Sequence, residues 1–335
     1  MAHEAVNVRQ LTAWTLGHTR NTEAAPVALR SRWTAEADPG VRAELLIALG
    51  RVDLSGAAVE TRALLGAATP APLRLAALLV ALAAGEPWTD THHGAALGLL
   101  PAREITVDRY SMHYREPLLA IVDSLLRRDT KADREAAFAL LDAALRDGRP
   151  EVRAEALSAA DHACHLSRSA PQRLVPAIAP LAADYPASTL LGKLGPAAAE
   201  AAPALAELAA QPDDETADQA LAVLVQVAPR QAVPLLARDL ERRPRALDAA
   251  GGFQAPAFPF DPALLAAVRA RLAADGLGNN ETTNLVHLLR QWGPQAAAAL
   301  PELHAALPRF QYAANAISAV AAAGPPSDPE AGAER

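Results

Sequence analysis

Asp38-Pro39-Gly40-Val41-Arg42-Ala43-Glu44-Leu45-Leu46-Ile47-Ala48-Leu49-Gly50-Arg51-Val52 decides the fold class. Asp38 is a helix-capping residue and Pro39-Gly40 a break. Val41, Leu45, Ala48, Leu49 and Val52 then recur at helical spacing on one face. Leu46 and Ile47 widen that stripe, so the helix expects apolar neighbours on more than one side.

The same phrase returns along the chain. Val8-Arg9, Val41-Arg42 and Leu73-Arg74 are spaced by 33 and 32 residues, and Leu16-Gly17 and Leu49-Gly50 close the first two phrases. Partner helices are expected between them, over about 23–35 and 57–68. Each period thus holds two helices and two short turns, a helical hairpin. Asp147 and Val152-Arg153 repeat the pattern, after a helix expected from Lys131 to Arg146. Further on, proline keeps the beat: Pro196, Pro229, Pro262 and Pro294 lie 33, 33 and 32 residues apart. Proline suits a first helical turn, where its missing N–H would have no partner. Pro203 and Pro301 fall inside helices and should kink or divide them.

Composition agrees. Of 335 residues 51% are hydrophobic but only 4% aromatic. The apolar content is largely Ala and Leu, the best helix formers, so the class is all-α. A net charge of −7 argues against gripping phosphate backbones as the main task. All basic residues but Lys131 and Lys193 are arginine, a skew read as GC-rich, bacterial coding bias. One cysteine, Cys164, gives neither a disulfide framework nor a thiolate cage. The N-terminus lacks the pattern of a secretory signal, and the longest apolar run, 75–85, is too short for a bilayer. The expectation is a soluble, cytoplasmic protein.

Asp-x-x-Val-Arg opening a helix that ends in Ala-Leu-Gly resembles the HEAT repeat, especially the short bacterial version related to phycobilin-lyase repeats. The match is best at Asp38, Val41, Arg42 and Leu49-Gly50, and at Asp147, Val152 and Arg153. After Pro171 the 33-residue period carries it. The resemblance implies an armadillo-type fold: one right-handed α-solenoid of about eight to nine hairpins over 1–322, with 323–335 a disordered tail. It also implies a structural ladder between repeats, made of Asp38, Arg42, Asp147, Arg153, Arg9 and Arg74.

Two stretches leave the beat: 87–114, read as an insertion, and 251–261, an irregular Pro- and Phe-rich loop. The insertion concentrates Trp88, His92, His93, Arg109, Tyr110, His113 and Tyr114. Trp, Tyr and Arg anchor interfaces, and long loops on rigid scaffolds carry function. These seven are the candidate binding residues, although aromatics filling a gap at the edge of the array would give the same pattern. No phosphate loop, nucleophile elbow, zinc helix or dinucleotide fingerprint occurs. No catalytic residue, metal ligand set or cofactor is assigned. His162, Cys164 and His165 could supply ligands, but two residues apart on a helix His162 and Cys164 point to different faces.

The expected function is a non-catalytic scaffold whose partner is another protein, bound by the concave surface and the insertion; nucleic acid is disfavoured and no membrane is implied. The alternative is a HEAT-like DNA glycosylase acting on alkylated bases, with Trp33, Trp292 and Asp108 as scattered candidates and the acidic charge against it. A bilin-lyase-like accessory role rests on the resemblance alone.

Overall fold

The computed structural model describes residues 4–19, 23–100, 116–212, 214–253 and 255–322. Among these the protein is all-α, with no strand. Contacts group the chain into two compact units, Met1–Ala177 and Ile178–Arg335, where the sequence reading runs one array through 1–322.

The first unit holds α1 (Val6–Gly17), α2 (Ala24–Ala35), α3 (Pro39–Val52), α4 (Leu54–Thr61), α5 (Ala71–Ala83), α6 (Asp90–Leu97), α7 (Pro117–Arg127), α8 (Lys131–Leu145), α9 (Pro150–Leu166) and most of α10 (Ala170–Ile178). Packing is sequential: α1 lies on α3, α3 on α5, α5 on α7 and α7 on α9, while α2 and α4 cover α3. The apolar neighbours expected on several sides of α3 are therefore present. The long apolar run is α5, whose residues Leu73–Leu82 are all buried.

The second unit holds α11 (Tyr185–Leu194), α12 (Ala202–Ala209), α13 (Asp214–Val227), α14 (Pro229–Asp239), α15 (Pro244–Gly251), α16 (Pro262–Leu272), α17 (Asn279–Trp292), α18 (Leu300–Ala306) and α19 (Ala313–Ala321). Here α11, α13, α15, α17 and α19 pack in succession, and α12, α14, α16 and α18 do the same. Pro229 and Pro262 open α14 and α16 as their spacing predicts. Pro203 and Pro301 do divide their helices: tight 3-10 turns over Gly195–Ala201 and Gly293–Ala299 precede α12 and α18. The repeated Gly-Pro text also repeats its backbone. Gly195 and Gly293 have φ of 53° and 55°, a left-handed setting that a side chain would strain.

Local chemistry fixes where helices start. Asp38 Oδ1 accepts from the Val41 N–H at 2.9 Å, capping α3, and Pro39 sits in its first turn. Asp261 caps α16 in the same way through the Ala263 and Leu264 N–H groups. The partner helix expected over 57–68 is shorter and earlier, because Asp53 caps α4 through Gly56 and a 3-10 turn over Arg62–Leu64 ends it.

The charge ladder implied by the resemblance is a correction. Asp38 is spent on its cap, and Arg42 places its guanidinium 4.5 Å from the centre of the Trp33 ring. Asp147 pairs with Arg149 in its own turn, Arg153 donates to the turn carbonyls of Asp147 and Gly148, and Arg74 donates to the Gly98 carbonyl. Of the expected members, Arg9 does join neighbours, but through Glu36. The joints use other carboxylates. Glu155 of α9 accepts from the Leu118 N–H at the start of α7, and Asp218 of α13 accepts from the Arg245 and Ala246 N–H groups at the start of α15. A carboxylate reaching a neighbour's N-terminus satisfies orphan donors and suits the helix dipole.

Glu36 is the most heavily used joint. It is 8% exposed and accepts from Arg9 of α1, Arg32 of α2 and the Ala37 and Asp38 N–H groups. Burial alone would raise its pKa, but the Asp38 N–H and the two guanidiniums hold it down at about 2, against an ordinary 4.5. The depressed value means that ionised Glu36 stabilises the fold above pH 4.5, and that this contribution disappears as pH falls towards 2. Its size at neutral pH is ~3 kcal/mol. We expect urea midpoints of the wild type to fall steeply between pH 5 and 2, and those of Glu36→Gln to start lower and fall less.

Candidate functional site

The insertion begins as structure rather than as loop. Residues 90–97 form α6, a helix that the reading of 87–114 as an insertion loop does not contain. The Thr89 N–H and hydroxyl both donate to His92 Nδ1, at 3.3 and 2.7 Å. With two donors on Nδ1, the proton of the neutral imidazole lies on Nε2. His92 is 7% exposed, and its ring stacks at a tilt against Trp88, with centroids 5.6 Å apart. Burial pushes the His92 pKa below its usual value; Arg128 and Arg62 add to this and Glu86 opposes it. His93 is half-buried on α6 and its N–H continues the first turn. Trp88 and His92 thus pack on each other at the start of α6, a helix that lies against α5 and α8. Arg109, Tyr110, His113 and Tyr114 lie outside the described residues, as does Asp108.

The same unit carries an open groove. Across the last turns of α3, α5 and α7 runs a cleft of about 370 Å³ lined by Ile47, Gly50, Arg51, Leu79, Val80, Leu82, Ala83, Ser124, Arg127 and Arg128. Its floor is aliphatic, and Gly50 contributes no side chain. Its charged lining residues are all arginines, Arg51 on one wall and Arg127 and Arg128 on the other. A cation in a last turn also complements the carbonyl end of its helix.

The α7 wall is preset. Arg127 donates to Asp123 Oδ2 at 2.7 Å, and His162 Nε2 lies 2.7 Å from the other oxygen of Asp123. Burial alone would raise the Asp123 pKa, but hydrogen bonds from Arg127 and His162 hold it below the usual range. Arg128 donates to the Glu86 carbonyl at 2.7 Å and pairs with the buried Asp133 at 3.2 Å. The residue just before the insertion therefore fixes one arginine of the groove.

The other sequence candidates do not converge. His162 serves Asp123, His165 is exposed, and burial pushes the Cys164 thiol up to about 11. Among the described residues, no three His, Cys, Asp or Glu side chains are placed to hold a metal ion. Trp33 and Trp292 are interior: Trp33 lies under Arg42, and Trp292 donates to the Phe258 carbonyl and meets Phe260 edge-on. That contact, with the Phe258 N–H on Gln291, ties down the irregular 251–261 stretch. The second unit has a larger cleft of about 720 Å³, lined by both signs of charge, Asp275 and Glu302 beside Arg309.

Sequence reasoning passed over the groove. Its one visible sign was Arg51 directly after the recurrent Leu49-Gly50 ending. No family model matches the chain, and no curated protein shows significant similarity to it. No helix among the described residues is long and apolar enough to cross a membrane.

Because the His92 pKa is depressed, the neutral ring stabilises α6 above pH 6.5, and the contribution is lost as pH falls through the lower folded value. Amide exchange over residues 90–97, corrected for intrinsic rate, should quicken between pH 7 and 5. In His92→Gln that pH dependence should be absent.

Proposed function

We propose that the protein is a non-catalytic protein-interaction scaffold built from HEAT-like helical hairpins. Support for the repeat reading comes from the 33-residue beat and from the equivalent packing of alternate helices within each unit. One observation carries the functional reading: the aliphatic groove across α3, α5 and α7, whose Arg127 and Arg128 wall is held in place before anything binds. A preset surface loses little entropy on association, and Arg beside an apolar pocket is the composition of interface anchors. Arg128 is fixed through the carbonyl of Glu86, the residue that precedes the 87–114 insertion, and Trp88, His92 and His93 line no part of the groove.

Ala83 is exposed on the groove floor, so a photo-crosslinking phenylalanine analogue in its place reports on the occupant. In cells of the native host it should give a discrete protein adduct, weakened by Arg51→Glu with Arg127→Glu and by neither change when the label replaces the remote Gly66. Absence of an adduct at position 83, or an adduct indifferent to charge reversal, contradicts the reading.

A further inference from the structure

We infer that the occupant of this groove is an amphipathic helix of a partner protein, about three turns long, with apolar anchors in its middle and carboxylates at both ends. The inference rests on the scaffold reading and adds the chemistry of the partner.

Length follows from geometry. The groove crosses three successive helices, from Arg51 on α3 to Arg127 and Arg128 on α7, with α5 between them. Packed helix axes lie 8–10 Å apart, so the walls are roughly 16–20 Å apart. At 1.5 Å per residue a helix laid across them has about 11–13 residues between its ends. Such a helix presents apolar side chains at i, i+3 or i+4, and i+7 to the floor.

Charge sets what stands at those ends. The lining carries Arg51 on one side, Arg127 and Arg128 on the other, and no acid. Carboxylates at both ends of the guest helix meet both walls. The chain carries a net charge of −7, but here the carboxylates of Asp123 and Asp133 hold Arg127 and Arg128 without themselves lining the groove, so a guest carboxylate meets guanidinium and no facing acid. The floor decides the class of ligand. Ile47, Leu79, Val80, Leu82 and Ala83 offer a phosphate backbone nothing to bond. Ser124 turns its hydroxyl to the Ala120 carbonyl.

The test is fluorescence anisotropy with the full chain and a labelled 15-residue peptide of Ala and Gln, carrying leucines at i, i+4 and i+7 and glutamates at both ends. Saturable binding is expected, weakened about tenfold by Arg51→Glu, a change of ~1.4 kcal/mol. Replacing the glutamates at one end with lysine should restore affinity for Arg51→Glu while lowering it for the wild type. Arg51 and Ala83 are both exposed, so circular dichroism should show unchanged helicity in Arg51→Glu and in Ala83→Glu, which blocks the floor. No saturation at millimolar peptide, binding indifferent to both variants, or stronger groove-dependent binding of dodecanoate or of duplex DNA overturns the proposal. If the adduct at position 83 still forms in cells under any of these outcomes, the groove reading stands and only its occupant is wrong.

Discussion

At Gly17, α1 and α3 come so close that a Cβ would lie 2.9 Å from the Cα of Ala48, nearer than van der Waals contact allows. Gly50 makes the equivalent approach of α3 to α5, where a Cβ would meet Val80 at 3.0 Å. In the second unit, a Cβ on Gly251 would lie 2.2 Å from the Asn284 carbonyl oxygen, between α15 and α17. Close packing of alternate helices is the constraint from which the rest follows. It sets the spacing of α1, α3 and α5, and so the α3 side of the groove. Where backbones meet this closely there is no slack for a side chain, and the interior transmits displacement instead of absorbing it.

Electrostatics is layered on that frame. Buried and half-buried carboxylates sit at joints: Glu36 between α1, α2 and the start of α3, Glu155 between α9 and α7, Asp218 between α13 and α15. Each is held by guanidinium or N–H donors, which is the condition under which a buried charge is tolerated. The arginines of the groove follow the same rule with a different outcome. Asp123, Asp133 and the Glu86 carbonyl fix Arg127 and Arg128, yet both guanidiniums remain part of the groove lining. The network around α7 thereby sets the position of two of the three groove arginines.

Helix content, the proline starts and the division of helices at Pro203 and Pro301 were legible in the sequence, because they depend on local periodicity and on φ. The Leu-Gly endings were legible as a repeat but not as contacts, since the partner of Gly17 lies 31 residues away at Ala48. The conspicuous pair Asp38 and Arg42 pointed to a ladder, whereas geometry gives Asp38 a cap and Arg42 an aromatic face. Which carboxylate crosses to a neighbour depends on register between helices, and no window within one helix contains that information. The groove was hidden for the same reason: its walls are separated by more than seventy residues. Composition drew attention to Trp88 and His92, and the structure stacks their rings, with His92 buried and Trp88 half-buried.

Unfolding free energies of three single variants test the central claim, that glycine contacts between alternate helices set the frame. Gly17→Ala and Gly251→Ala place a methyl group against neighbouring backbone, and each should cost about 1–3 kcal/mol by urea denaturation. Gly94→Ala, on a helical position with open space around it, should be neutral or stabilising by about 0.4–1 kcal/mol. Three variants equal in stability to the wild type, or a loss at Gly94 matching that at Gly17, would contradict the account.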